Sequence, residues 1–162
     1  MTDFNLLPLL PEIFIALSAM GLLIVGVGRG NGSTAVVSWS CVGAYILAFI
    51  ILLGLHWGPD QAVLNNMFVF DGFAGFMKVM ILFGLILSTA LSVDYIVRTG
   101  MGRFEYPILI MLAGLGMLLM VSANNMLSLY MALELQSLSL YVLAAFQRSS
   151  LRSAEGGRSI SF

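Results

Sequence analysis

The sequence predicts an all-α membrane protein, a bundle of about five transmembrane helices with its amino terminus on the non-cytoplasmic side and its carboxyl terminus in the cytoplasm. Three observations lead there. Of 162 residues, 60% are hydrophobic and 9% charged, against about 25% charged in an ordinary soluble domain. The apolar residues gather into stretches near the roughly 20 residues that a helix needs to cross hydrocarbon. Of the seven Lys and Arg residues, every one except Lys78 falls in alternate connections, the pattern expected when short cytoplasmic loops retain positive charge.

The first span is expected over residues 6–27. Pro8 and Pro11 suit a first helical turn, where the missing N–H would have had no intrahelical partner. No Lys or Arg precedes Arg29, opposite to the basic start of a secretory signal, so this segment is read as retained. Gly26-VGRGNG resembles a phosphate loop only superficially. It follows a membrane span rather than a strand, and it reads as a turn. The second span covers 35–57 and ends in His56 and Trp57, both suited to the membrane interface. The third covers 72–93, after a connection of turn residues whose short apolar patch at 67–70 is expected at the interface.

Residues 106–146 are apolar almost throughout. As one straight helix they would run to roughly 60 Å, about twice the hydrocarbon thickness. The chain must fold back, and Asn124-Asn125 is the polar pair that permits it. A fourth span over 106–123, opened by Pro107, and a fifth over 126–146 follow. The turn also keeps the charge pattern. Arg29 then lies between spans one and two, Arg98 and Arg103 between three and four, and Arg148, Arg152 and Arg158 after five, all on one side.

Chemistry is expected where charge meets hydrocarbon. Glu134 sits within the fifth span, where a charged group at the centre of a membrane helix costs about 2.5–3.5 kcal/mol and usually marks an ion or proton path. Tyr130, Glu134, Ser137 and Tyr141 share one helical face, so hydroxyls flank the carboxylate. A purely structural role as an interhelical hydrogen-bonding group is the competing reading. Lys78, in the third span, either snorkels to the headgroups or joins Glu134 in one buried polar layer. Spans three and five enter from the same side, and at about 1.5 Å per residue the two charges lie roughly 9 and 12 Å deep. Glu12 and Asp71 stand at helix starts, where carboxylates complement the dipole, and both are read as structural; of the two, Asp71 is the better functional candidate, being seven residues from Lys78 on the same face. Asp94 closes the third span in solvent. The methionines are packing residues. One cysteine, Cys41, excludes an internal disulfide, and no metal-ligand spacing, nucleotide fingerprint or basic block for nucleic acid is present.

Four segments carry a family resemblance: Leu7-PLLPEIF, Phe70-DGFAGFMKVMILFG, Ser122-ANNMLSLYMALELQSLSLYVLAAF and Leu151-RSAEGG. Together they resemble the antiporter-like subunit N of bacterial proton-translocating NADH-quinone oxidoreductase, respiratory complex I, the counterpart of mitochondrial ND2. The block Glu134-LQSLSLYVL is the most specific, and the resemblance covers about 1–156. It implies the first helices of a fourteen-helix subunit in the bacterial inner membrane, lying among other membrane-arm subunits and contributing to proton translocation. NADH, FMN, iron-sulfur clusters and quinone would be bound by other subunits, with no cofactor or metal in this chain. It further implies that Glu134 is the family's fifth-helix glutamate, paired with a lysine on a later helix, and that Lys78 is the lysine of the third-helix motif, both on the proton path. Residues 157–162, Gly157-RSISF, depart from the family. Related sequences continue with a segment like Gly-Leu-Lys-Tyr-Phe, whereas here Ser159 stands where they have lysine. The expectation is an aberrant terminus on the first third of the subunit, unable to translocate protons by itself. A subunit of a multi-subunit cation/proton antiporter and a non-catalytic assembly component are the alternatives.

Overall fold

The computed structural model describes residues 6–55, 61–63, 66–99 and 103–159, and among them five helices are long and apolar enough to cross a membrane. Helix α1, Leu10–Arg29, follows a 3₁₀ turn at Leu7–Leu9 and carries Pro11 in its first turn. It stops at Gly30, whose φ of 73° is a left-handed conformation that glycine adopts without a Cβ penalty. The Gly30 N–H donates to the Gly26 carbonyl at 2.9 Å and closes the last turn. Helix α2, Thr34–Gly54, ends three residues short of the expected span, and His56 and Trp57 lie outside the described residues.

The connection to the third helix is more ordered than its turn-rich composition suggests. Strands β1, Gln61–Val63, and β2, Phe68–Phe70, pair antiparallel with Ala62 opposite Val69. The apolar patch is therefore a strand of a small hairpin. Asn66 takes φ 64° in its turn, a conformation that asparagine tolerates better than most residues with a Cβ. Helix α3, Gly72–Thr99, starts at an Asp71 cap: the carboxylate accepts the Ala74 N–H at 2.7 Å.

Helix α4, Glu105–Ser122, and helix α5, Met126–Ser159, are joined by the expected asparagine turn. Each asparagine has a separate task. Asn125 caps α5, its side-chain oxygen accepting the Ser128 N–H at 2.8 Å. Asn124 donates from its backbone to the Met67 carbonyl and from its side-chain amide to the Asn66 carbonyl, both at 2.9 Å. A bridge between Phe68 and Ala123 completes the attachment of this turn to the hairpin. Helices α3 and α5 both continue past their expected ends at 93 and 146, because intrahelical hydrogen bonds do not stop where hydrocarbon does.

Helices α1 to α4 form a ring in which α1 and α3 each pack against α2 and α4, while α5 lies outside against α4. Val37, Cys41, Tyr45, Ala48 and Leu52 turn one face of α2 to the centre, as their three- and four-residue spacing requires. Ile15, Leu82, Met111 and Leu118 fill it from the other three helices. The 3₁₀ turn, the hairpin and the Asn124-Asn125 turn share one end of the bundle. At the other end Phe104 presses on Gly26 of α1, and the Arg103 guanidinium lies 5.2 Å from the Phe146 ring centroid. Exposed Arg29, Arg98, Arg103 and Arg148 thus gather at that second end.

Candidate functional site

The two charges expected within the spans, Lys78 and Glu134, lie on different surfaces of the bundle. On α5, Ser128, Ala132 and Ser139 are buried, as residues one and two turns apart on one face must be if that face meets a neighbour. The neighbour is α4, where Gly116 lets the backbone of α5 approach. A Cβ on Gly116 would stand 2.9 Å from the Gln136 backbone nitrogen and 3.1 Å from the Ala132 carbonyl oxygen. Glu134 projects the other way. It is exposed together with Tyr130 and Tyr141, and Ser137 is half-buried beside them. The hydroxyl-flanked face expected from the helical spacing therefore points outward from the five helices.

Lys78 turns inward and is fully buried. Its ammonium forms an ion pair with Glu12 of α1, itself 3% exposed, and lies 5.2 Å from the centroid of the Phe70 ring on β2. A cation over an aromatic face is attracted by the ring's negative quadrupole, so a carboxylate and a ring hold the ammonium together. Lys78 does not snorkel, and its charge is met by α1 rather than α5. The shared polar layer expected with Glu134 is replaced by a pair inside the ring of four helices. The cause is the order of packing: α4 stands between α3 and α5.

Glu12 is the residue that sequence reasoning passed over, as a carboxylate complementing a helix dipole. A signal was available. α1 and α3 start at the same end, and each carries one charge in its first two turns, of opposite sign. Two such charges in hydrocarbon are far less costly together than apart. Asp71 caps α3 through Ala74 and is half-buried. Asp94 is exposed beyond the apolar part of α3. Among the described residues no group of three or more His, Cys, Asp or Glu side chains could hold a metal ion.

Comparison with known proteins finds relatives of this chain. No family model matches the chain. It is 45% identical over 153 residues to NADH-quinone oxidoreductase subunit N of Paramagnetospirillum magneticum, with 94% of the chain and 31% of that protein aligned. The subunit N of Parvibaculum lavamentivorans is 48% identical over 155 residues, covering 93% of the chain and 31% of the relative. That of Rhodobacter capsulatus is 46% identical over 155 residues, covering 96% and 32%. The chain thus spans about a third of the length of the curated relatives it matches. Among solved structures, a chain of respiratory complex I from Thermus thermophilus with bound aureothin superposes with a TM-score of 0.69 at 29% identity, covering 86% of this chain and 30% of that one. Over nearly all of its own length the chain is thus similar to NADH-quinone oxidoreductase subunit N, of which it matches about a third.

Proposed function

We propose that these five helices are part of a proton-translocating membrane subunit of a bacterial NADH-quinone oxidoreductase, in which Glu134 is a proton-exchanging group. The observation that carries the reading is the outward position of Glu134 on α5, flanked by Tyr130, Ser137 and Tyr141. Ionisable groups in membrane helices almost always face protein or a water-filled cavity rather than lipid. The relatives are about three times as long as this chain, so further helices of the complete subunit are the natural cover for this face. A cation brought to it from those helices favours the ionised carboxylate, and withdrawing the cation favours proton uptake. The flanking hydroxyls can each donate and accept a hydrogen bond, which lets them hold water or relay a proton beside the carboxylate.

Coupling in this reading is electrostatic. NADH, FMN, iron-sulfur clusters and quinone belong to other subunits, with which this one lies in the bacterial inner membrane. The arginine-rich end faces the cytoplasm, in keeping with the distribution of positive charge along membrane proteins. The test is Glu134→Gln in the complete subunit of the assembled complex, with NADH oxidation and proton uptake followed in inverted membrane vesicles. The expected result is normal assembly with a several-fold loss of protons moved per NADH, and partial recovery in Glu134→Asp. Unchanged pumping in a normally assembled Glu134→Gln complex would assign the residue to packing instead.

A further inference from the structure

The Glu12–Lys78 pair joins helices that otherwise have little to do with each other. α1 and α3 stand diagonally across the four-helix ring, each packing along α2 and α4 and neither along the other. Across that diagonal, two fully enclosed side chains of opposite charge meet, with the Phe70 ring of the hairpin beside the ammonium. Neither charge is tolerable in hydrocarbon alone, and each accounts for the presence of the other. Glu134 differs, because among the described residues no ion pair answers its charge.

We infer that Glu12 and Lys78 form a closed electrostatic clasp that fixes α1 against α3 beneath the hairpin, and that Lys78 is a structural cation rather than a carrier on the proton path. A carrier must release its proton to a changing partner. Lys78 instead has a fixed carboxylate on one side, a fixed aromatic ring near it and no exposed surface. The clasp also explains the position of β2: the strand runs directly into α3 through Asp71, which sets Phe70 two turns before Lys78 on the same side of the helix start. An opposed pair of this kind acts as a unit. Removing one member strands a buried charge, whereas an apolar pair of similar volume can replace both.

The experiment uses the complete subunit in the assembled complex and compares Glu12→Gln, Lys78→Met and the double variant Glu12→Leu with Lys78→Met. Each single variant is expected to lower the amount of assembled complex in membranes several-fold. The double variant is expected to restore it and to move protons per NADH at the unmodified ratio. A double variant that assembles but pumps at a reduced ratio would put the pair on the proton path and overturn the inference. Single variants that assemble normally would overturn it as well. Should the apolar pair fail to assemble, the exchanged pair Glu12→Lys with Lys78→Glu decides: recovery of assembly upholds the clasp, and none removes it. Glu134→Gln is read separately in the same membranes, so a failure of the proton-path proposal leaves the clasp untouched, and the reverse also holds.

Discussion

Three carboxylates near or inside hydrocarbon have three fates here. Glu12 is neutralised by Lys78, Asp71 is occupied by the first turn of α3, and Glu134 is presented outward. The differences arise from what lies within a few ångströms of each. Breaking a buried ion pair by removing one partner costs about 3–5 kcal/mol, while loss of a helix cap costs about 1 kcal/mol. Glu12 and Lys78 are therefore expected to be sensitive residues for folding, and the caps to be milder ones. Asn125→Ala removes the acceptor for the Ser128 N–H and should lower stability by about 1 kcal/mol, with Asn125→Asp or Asn125→Ser close to neutral. Thermal inactivation of the detergent-solubilised complex measures the order. Asn125→Ala matching Asn125→Ser would remove the capping role.

At the level of elements, α4 is the hinge of the arrangement, touching α1, α2, α3 and α5. Two of its glycines face different neighbours, and the difference is measurable. A Cβ on Gly114 would stand 2.5 Å from Leu85 Cδ1, the far end of a side chain that can rotate away; a Cβ on Gly116 would meet the Gln136 backbone, which cannot. Gly116→Ala should therefore force α4 and α5 apart and cost about 1–3 kcal/mol, as overpacking does, with Gly114→Ala clearly milder. The amount of subunit retained in the complex, measured for each variant in parallel, gives the comparison; equal effects would mean that backbone approach is not what sets the α4–α5 distance. Small residues take this role in membranes because lipid offers no solvent advantage to association, leaving close packing and hydrogen bonds to drive it. The hairpin is the other element that matters. Its pairing with Asn124 ties the α2–α3 connection to the α4–α5 turn, so two loops far apart in sequence form one cap over the end that holds Glu12 and Lys78.

For the whole molecule, the testable quantity is orientation. The arginines at one end and the hairpin at the other predict that a cysteine at Asn124 reacts with a membrane-impermeant maleimide from the non-cytoplasmic side, and a cysteine at Arg103 from the cytoplasmic side. Cys41 is buried and supplies little background. Labelling from the reverse sides would invert the proposed topology, and with it the side of the membrane to which Glu134 lies nearer.

Much of this protein was legible in the order of its residues. Five spans, the fold-back at Asn124-Asn125, the gathering of arginines at one end and the anomaly of Glu134 all follow from local quantities: hydrophobic length, turn chemistry and charge placement, each of which acts along a single segment against the bilayer. What the tertiary structure decided is which charges meet. Helical spacing put Glu134 and its hydroxyls on one face but could not say that α5 turns that face away from α4. Depth arithmetic placed Lys78 level with Glu134 but could not say that α4 stands between their helices and that α1 lies across the ring. The short strands at 61–63 and 68–70 escaped notice for a related reason: strands this short are held by cross-strand partners and by Ala123 and Asn124, not by their own composition. Depth in a membrane is a property of one helix, whereas neighbourhood is a property of the packing among all of them, and the Glu12–Lys78 pair exists only at that second level.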